Sequence, residues 1–92
     1  MKVLIIGYGS IGERHSYVLT DLGCEVRIVS KRKNLPILTY KKIETAIYDF
    51  NPEYIIVSNA TSDHFLSVKS ILNSKYNGII LVEKPIFKNV PK

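Results

Sequence analysis

The sequence predicts an α/β fold with a doubly wound parallel sheet of about five strands, and two observations predict it. Short apolar runs rich in β-branched residues alternate with segments whose apolar residues recur at helical spacing. The first apolar run leads directly into a glycine-rich loop and a helical segment. Alternation of this kind builds a parallel sheet through right-handed crossovers, so the expected strand order is 3-2-1-4-5.

Five segments have the length and composition of strands buried in a sheet. They are residues 3–6, 25–29, 35–39, 54–57 and 79–82. Pro36 has no N–H to donate, which places the third strand at a sheet edge or makes Pro36 a strand start. The other four runs contain no proline, and we expect them to form the interior and the far edge of the sheet.

Three segments between these strands have helical periodicity. The first runs from Ile11 to a stop at Asp21-Leu22-Gly23, the second covers residues 43–50, and the third extends from Thr61 to about Lys75. The residues at helical spacing are Ile11, His15, Val18, Leu19 and Leu22 in the first, Ile43, Ala46, Ile47 and Phe50 in the second, and Phe65, Val68, Ile71 and Leu72, the expected inner face, in the third.

Composition limits the class of protein. The chain has 92 residues, of which 46% are hydrophobic and 23% charged, as in one small globular domain. Cys24 is the only cysteine, so no internal disulfide forms, and its apolar neighbours favour a small buried hydrophobe over a reactive thiol. The first apolar run is too short for a signal peptide, and no run approaches the roughly 20 apolar residues of a membrane span. We therefore expect a cytoplasmic protein.

The net charge of +5 permits a nucleic-acid partner. However, the positive charge is concentrated at Lys31-Arg32-Lys33 and Lys41-Lys42, and the chain has no recognisable RNA-binding motif, zinc knuckle or recognition helix. A patch that binds a phosphorylated small molecule explains the charge equally well. We expect neither a nucleic acid nor a membrane as partner, and a basic nucleic-acid binder stays as an alternative.

The loop of residues 7–12 has the sequence GYGSIG, which is the G-x-G-x-x-G pattern in its expected place between a strand and a helix. Gly7 allows the tight turn out of the strand, Gly9 lets the backbone approach a pyrophosphate, and Gly12 lets the helix pack closely on the strand. Free N–H groups near Ser10 and Ile11, at the positive end of the helix dipole, would receive the anion. The loop indicates a Rossmann-type βαβ unit that binds a nicotinamide dinucleotide, although a turn that only joins strand to helix has the same glycines.

The end of the second strand indicates which dinucleotide is bound. A carboxylate there accepts hydrogen bonds from the ribose hydroxyls of NAD, but this chain has Ser30, Lys31 and Arg32 instead. A serine hydroxyl and a guanidinium suit a 2′-phosphate, and a charge-assisted hydrogen bond contributes about 1.5–3 kcal/mol, so one or two set a preference of about 100-fold or larger. The sequence thus favours NADP over NAD. A solvated basic turn is the alternative interpretation.

Ligands of open α/β sheets bind beyond the carboxyl ends of the strands, where two polar groups follow strands four and five. In the first group, residues 58–64, a hydroxyl or carboxylate among Thr61, Ser62 and Asp63 caps the third helix, and His64 either lines a nicotinamide pocket or lies on the surface. In the second, Lys84 stands at the mouth of the sheet before Pro85. There it would hydrogen-bond a substrate hydroxyl or carbonyl, with its pKa lowered by partial burial.

Three motifs in order resemble the glucose–fructose oxidoreductase, inositol dehydrogenase and rhizopine catabolism (Gfo/Idh/MocA) family of dehydrogenases. Residues 7–15 (GYGSIGERH) are similar to the G-x-G-x-I-G-x-R-H opening of that family. Residues 59–64 (NATSDH) resemble its T-P-x-x-x-H stretch, with Asn59 for Thr and Ala60 for Pro, and residues 83–85 match its E-K-P. Together the motifs span nearly the whole chain.

The resemblance implies a Rossmann domain over residues 1–92 that binds NAD(P), followed in the family by a larger α/β domain for a sugar-type substrate. It implies that Lys84 is the catalytic residue, close to the nicotinamide and the reacting carbinol. The second domain, with its Asp/His pair, is not in this chain, so the sequence looks like the cofactor half of an oxidoreductase whose parent is homo-oligomeric. A stand-alone nucleotide-sensing domain without catalysis is the alternative.

The expected site therefore consists of one catalytic residue, no metal ligand and a set of cofactor contacts. The expected contacts are Gly7, Tyr8, Gly9, Ser10, Ile11, Gly12, Ser30, Lys31, Arg32, Asn59, Thr61, His64 and Glu83.

Overall fold

The computed structural model of the protein describes residues 1–31, 34–58 and 64–82. Within them the elements are β1 (Lys2–Ile6), α1 (Ser10–Asp21), β2 (Glu25–Val29), β3 (Thr39–Tyr40), α2 (Ile43–Phe50), β4 (Tyr54–Val57), α3 (His64–Asn73) and β5 (Ile79–Val82). The five strands form one sheet in the order β3-β2-β1-β4-β5, and every neighbouring pair is parallel. The predicted doubly wound α/β fold is confirmed.

Strand β1 lies at the centre of the sheet, between β2 and β4. Its residues Val3 to Ile6 are all buried because helices cover both of its faces. Successive side chains point to opposite faces, so the strands feed two separate apolar cores. The α1-side core contains Val3, Ile5, Tyr8, Ile28 and Ile56, and the α2/α3-side core contains Leu4, Ile6, Val29, Ala46, Ile47, Phe50, Ile55, Val57 and Ile71.

The third strand differs from the prediction of residues 35–39, because strand β3 begins only at Thr39. Leu35 and Ile37 instead pack against the α1-side core, which Cys24, half-buried, also contacts. The segment after β2 therefore uses its apolar side chains to cover one face of the sheet. Backbone pairing resumes only where the Leu38 carbonyl accepts the N–H of Ile28, at 3.1 Å.

The predicted inner face of α3 is wrong at Leu72, which is 60% exposed. Ser67 and Ile71 are buried, one helical turn apart, and Val68 packs beside them. Leu72 lies one residue further round the helix, which carries it away from the sheet. Of the residues predicted at helical spacing in the first helix, Val18 and the C-cap residue Leu22 are likewise exposed, whereas Gly12 and Ser16 of α1 are buried. Small residues on that side let α1 lie close to the strands.

Within the described ranges, no helix is both long and apolar enough to cross a membrane.

Candidate functional site

The glycine loop connects the carboxyl end of β1 to the start of α1. Gly7 has a φ of +94°, a conformation that side chains strongly disfavour, and its N–H donates to the Val29 carbonyl at 2.8 Å. This hydrogen bond continues the β1–β2 pairing by one residue before the chain turns. Gly7 thus makes the tight turn that its place in the motif predicts.

Gly12 provides the close approach between helix and strand. A Cβ atom added there would overlap the Gly7 carbonyl oxygen and lie 2.9 Å from Ser58 Oγ. Ser58 follows β4, and its hydroxyl donates to the carbonyls of Ile6 and Gly7, at 3.1 and 3.2 Å. Its N–H donates to Ile6 as well, at 2.9 Å. Ser58 at the end of β4 therefore fixes the position of the loop by hydrogen bonds and so acts as its brace. The close contacts of Gly12 confirm its predicted role in packing.

The first turn of α1 presents donors to the space above the loop. Gly9 is the N-cap residue, and its carbonyl accepts the N–H of Glu13 at 2.8 Å. The N–H groups of Ser10, Ile11 and Gly12 precede that bond and have no acceptor within the helix. A Cβ on Gly9 would meet nothing within 4 Å, so the backbone here is open to a ligand. Donors without an acceptor in the helix, at the positive end of its dipole, suit the pyrophosphate of a dinucleotide.

Tyr8 points away from this space. Its side chain is only 4% exposed and belongs to the α1-side core, with Val3, Ile5 and Ile56. Tyr8 therefore anchors the loop to the body of the domain, and only its backbone is placed to contact a bound dinucleotide.

A pocket of about 520 Å³ lies next to Gly7, beyond the carboxyl ends of β1 and β2. Its walls come from the end of β2, the start of α2 and one side of α3. The lining residues are Ile6, Gly7, Val29, Ser30, Lys31, Lys41, Lys42, Ile43, Glu44, Leu66, Ser67 and Ser70. The structure thus brings Ser30 and Lys31, two of the predicted contacts, to the same cavity as the first glycine of the loop.

Positive charge predominates around this pocket. Lys31, Lys41 and Lys42 line it together with one carboxylate, Glu44, and all four side chains are exposed. Lys42 is the N-cap residue of α2, and no side chain caps this helix start. A cation at the positive end of a helix dipole is electrostatically unfavourable. An anion bound among these lysines would relieve that repulsion.

The turn between β3 and α2, which carries Lys41 and Lys42, is held from behind by a polar network. Arg27 Nη1 donates to the Tyr40 hydroxyl at 2.6 Å, and that hydroxyl donates to Asp49 of α2. The Arg27 guanidinium also stacks 4.4 Å from the centre of the Phe50 ring. Burial, aided by the hydrogen bond to Asp49, raises the pKa of Tyr40. The network ties β2, β3 and α2 together next to the turn that carries Lys41 and Lys42.

The remaining predicted contacts are less fully placed. His64 opens α3, at the same edge of the sheet as the glycine loop. Arg32, Asn59, Thr61, Glu83 and Lys84 lie outside the described residues. In the part of the chain that is described, no three His, Cys, Asp or Glu side chains come together as a metal site would need.

The sequence predictions missed Ser58 as a brace and missed Lys41 and Lys42 as pocket residues, although both lysines were noticed as a charge cluster. The strand order could have found the lysines. With β3 beside β2, the segment after β3 must lie beside the segment after β2, where Ser30 and Lys31 were already expected.

Several solved structures share this fold. A dipicolinate-bound dihydrodipicolinate reductase from Paenisporosarcina sp. TG-14 superposes with a TM-score of 0.79 at 15% identity, covering 97% of this chain and 39% of that chain. A probable oxidoreductase, yhhX, gives 0.75 at 23% identity, covering 97% and 29%. The WlbA (WbpB) dehydrogenase from Thermus thermophilus, in complex with NAD and UDP-GlcNAcA, gives 0.70 at 15% identity, covering 95% and 34%.

These likenesses establish the fold. The chain spans between about three-tenths and four-tenths of the length of those three proteins. Comparison of the sequence with protein-family models and with curated proteins gives no match.

Proposed function

We propose that this chain is the nucleotide-binding half of an NAD(P)-dependent oxidoreductase acting on a sugar, a sugar nucleotide or a related polyol. The observation that carries the proposal is the geometry of the glycine loop. Gly12 is packed against Gly7 and Ser58, and this packing holds the first turn of α1 with its N–H groups beside the open space at Gly9. These residues fit a dinucleotide pyrophosphate.

The similar structures support this proposal by their own descriptions. They are a reductase, a probable oxidoreductase and a dehydrogenase, and the dehydrogenase is in complex with NAD and UDP-GlcNAcA. The resemblance of three motifs to those of the Gfo/Idh/MocA family supports the same class. This chain spans well under half of those proteins. The proposal places the reaction in a longer, homo-oligomeric parent whose second domain would hold the substrate.

The proposed parts of the site divide along the sheet edge. The loop of residues 7–12 would hold the pyrophosphate, and Ser30, Lys31 and Arg32 the adenosine end, with NADP favoured. Asn59, Thr61, His64 and Glu83 would surround the nicotinamide, which supplies the hydride acceptor or donor when bound. Lys84 would hydrogen-bond the substrate oxygen and move its proton.

Binding is tested by titrating the 92-residue chain with NADPH and with NADH in a calorimeter. The decisive variant is Gly9→Asp: the site above Gly9 has room for a side chain, and Asp is a favourable N-cap, so the domain folds. The carboxylate then occupies and repels the pyrophosphate position, and we expect binding to weaken by about 100-fold, near 2.7 kcal/mol. Asn73→Asp adds the same charge at the far end of α3 and should bind normally. If the folded wild-type chain binds neither nucleotide, the proposal is wrong.

Catalysis is tested separately. We expect the 92-residue chain alone to show no dehydrogenase turnover, and robust activity from it would contradict the two-domain proposal. In a longer parent, Lys84→Ala should lower kcat by orders of magnitude. If it leaves function intact, the nucleotide-sensing alternative replaces the oxidoreductase.

A further inference from the structure

The pocket beside Gly7 has the size and lining of a site for a nucleotide rather than of a site for a small anion alone. Its volume of about 520 Å³ lies within the range of about 300–1,000 Å³ that small-molecule sites occupy. Ile6 and Val29 form an apolar floor, and Leu66, 60% exposed, adds an apolar surface from α3. The lysines surround this floor. An apolar floor with a cationic rim fits a flat base joined to a phosphorylated sugar.

The cations of the rim come from two turns that one hydrogen bond joins. The N–H of Ser30 donates to the Tyr40 carbonyl at 3.0 Å, immediately before Lys31 on one turn and Lys41 on the other. The second turn is fixed at its start, because the Tyr40 side chain, directly before Lys41, is hydrogen-bonded to Arg27 and Asp49. Lys41 and Lys42 therefore stand at the pocket on a fixed backbone, beside Ser30 and Lys31, which follow β2 and which the sequence predicts to contact the 2′-phosphate.

We propose that Lys41 and Lys42 form the second wall of the adenosine subsite and select a dinucleotide with a 2′-phosphate, an inference that rests on the proposed function. A dianionic 2′-phosphate at this position is held between the turn after β2 and the turn before α2. Three lysines and the start of α2 favour the dianion, and Glu44 opposes it. A 2′-hydroxyl carries no charge that the lysines could attract. The lysines therefore increase the affinity only for the dinucleotide with a 2′-phosphate.

The test compares NADPH with NADH on the 92-residue chain, using the double variant Lys41→Gln with Lys42→Gln. We expect the Kd for NADPH to rise about tenfold or more, while the Kd for NADH changes less than about twofold. Both lysines are exposed, so the variant should fold, and circular dichroism checks this. Lys69→Gln is the matched control, because Lys69 is exposed on α3 and outside the pocket lining, and it removes a positive charge without touching the site.

A second variant removes a negative charge instead of a positive one, and it tests whether the effect comes from charges that line the pocket. Glu44→Gln removes the carboxylate from the pocket and should tighten NADPH about threefold, with NADH unchanged or weaker. The assignment is wrong if the double variant loses affinity for NADPH and for NADH in equal proportion. It is also wrong if Lys69→Gln weakens NADPH binding as much as the double variant does.

The outcomes separate this inference from the proposed function. If the wild-type chain binds both nucleotides and the lysine variants leave the ratio of their affinities unchanged, the inference fails and the proposed function stands. If the wild-type chain binds neither, both fail.

Discussion

At the scale of single residues, the two later glycines of the loop are constrained in opposite ways. Gly12 lies against backbone and against Ser58, so no added atom fits, whereas Gly9 faces open space. The motif gives these glycines different roles, and of the two only Gly12 is constrained by packing. Under the proposed function, the open space at Gly9 is needed for the approach of a dinucleotide.

Gly12→Ala should therefore destabilise the domain strongly. The new methyl group would overlap the Gly7 carbonyl and force α1 away from β1. We expect the free energy of unfolding to fall by about 2–3 kcal/mol, as is typical of overpacking in a close contact. Urea denaturation followed by circular dichroism measures this. Gly9→Asp should show no such loss, and equal destabilisation by the two variants would contradict the packing role of Gly12.

At the scale of elements, α2 is connected to the sheet by a titratable group. The Tyr40 hydroxyl joins Arg27 of β2 to Asp49 of α2, and its raised pKa means that folding favours the neutral phenol. The unfolded chain releases this proton near the ordinary pKa of 10.0. The contribution of Tyr40 to stability is therefore complete below about pH 10 and is lost as the pH rises through the folded-state pKa.

Tyr40→Phe isolates this contribution. At about pH 8 we expect the variant to be less stable than the wild type by about 1 kcal/mol, because the hydrogen bonds of the hydroxyl are lost. Above about pH 10 the difference should shrink, since the wild type then loses its advantage on ionisation. The pKa values of Tyr17 and Tyr76 are also raised, so both proteins weaken in alkali. The measurement is therefore the difference in the free energy of unfolding between the wild type and Tyr40→Phe as a function of pH. A difference that does not change with pH contradicts the assignment.

Periodicity predicted the elements where an apolar face decides the structure. Strands β2, β4 and β5 and helix α2 have the predicted bounds, and the strand order follows from the handedness of the crossovers. The predicted start of β3 was wrong because Leu35 and Ile37 pack against the α1-side core without belonging to a strand. Periodicity alone does not distinguish such apolar residues from those of a strand. Leu72 was misplaced because small residues such as Ser67 occupy the inner face of α3.

The candidate site was predictable in its glycines and less so in its walls. The roles of Gly7 and Gly12 follow from a local motif, and the structure confirms both. Ser58 and Lys41 act at the site only through long-range neighbours, because the strand order brings the ends of β4 and β3 beside the loop and β2. Contacts of that kind depend on topology, which a local pattern does not contain.

At the scale of the whole molecule, the sheet is covered unequally. Helix α1 contacts β1 and β2, and the β2–β3 segment adds Leu35 and Ile37 to the same face. Towards β5 that face is open: Ile79 pairs with Tyr54 and Leu81 with Ile56, yet Ile79 is 54% and Leu81 48% exposed. Among the described residues, β5 is also an edge strand of the sheet. An exposed apolar strand at a sheet edge favours self-association.

Leu81→Lys should reduce that self-association in the 92-residue chain. A charge on the exposed face of an edge strand disfavours pairing with a second copy, and removal of a half-exposed leucine costs little stability. We expect the dissociation constant of any self-association to rise about tenfold in sedimentation velocity. Leu72→Lys introduces the same change on α3, away from the edge, and should leave association unaltered. Equal effects from the two variants would point to net charge instead of the edge.

The hydrogen bond from Ser58 to Gly7 joins residues 51 apart in the sequence. A chain emerging from a ribosome makes β1, the loop and α1 first, but the residue that braces them follows only after β4. Before Ser58 is synthesised, this hydrogen bond cannot form, so β1, the loop and α1 lack one of the contacts that fix them. Under the proposed function, we expect a dinucleotide to stabilise the domain only once more than half of the chain has been synthesised.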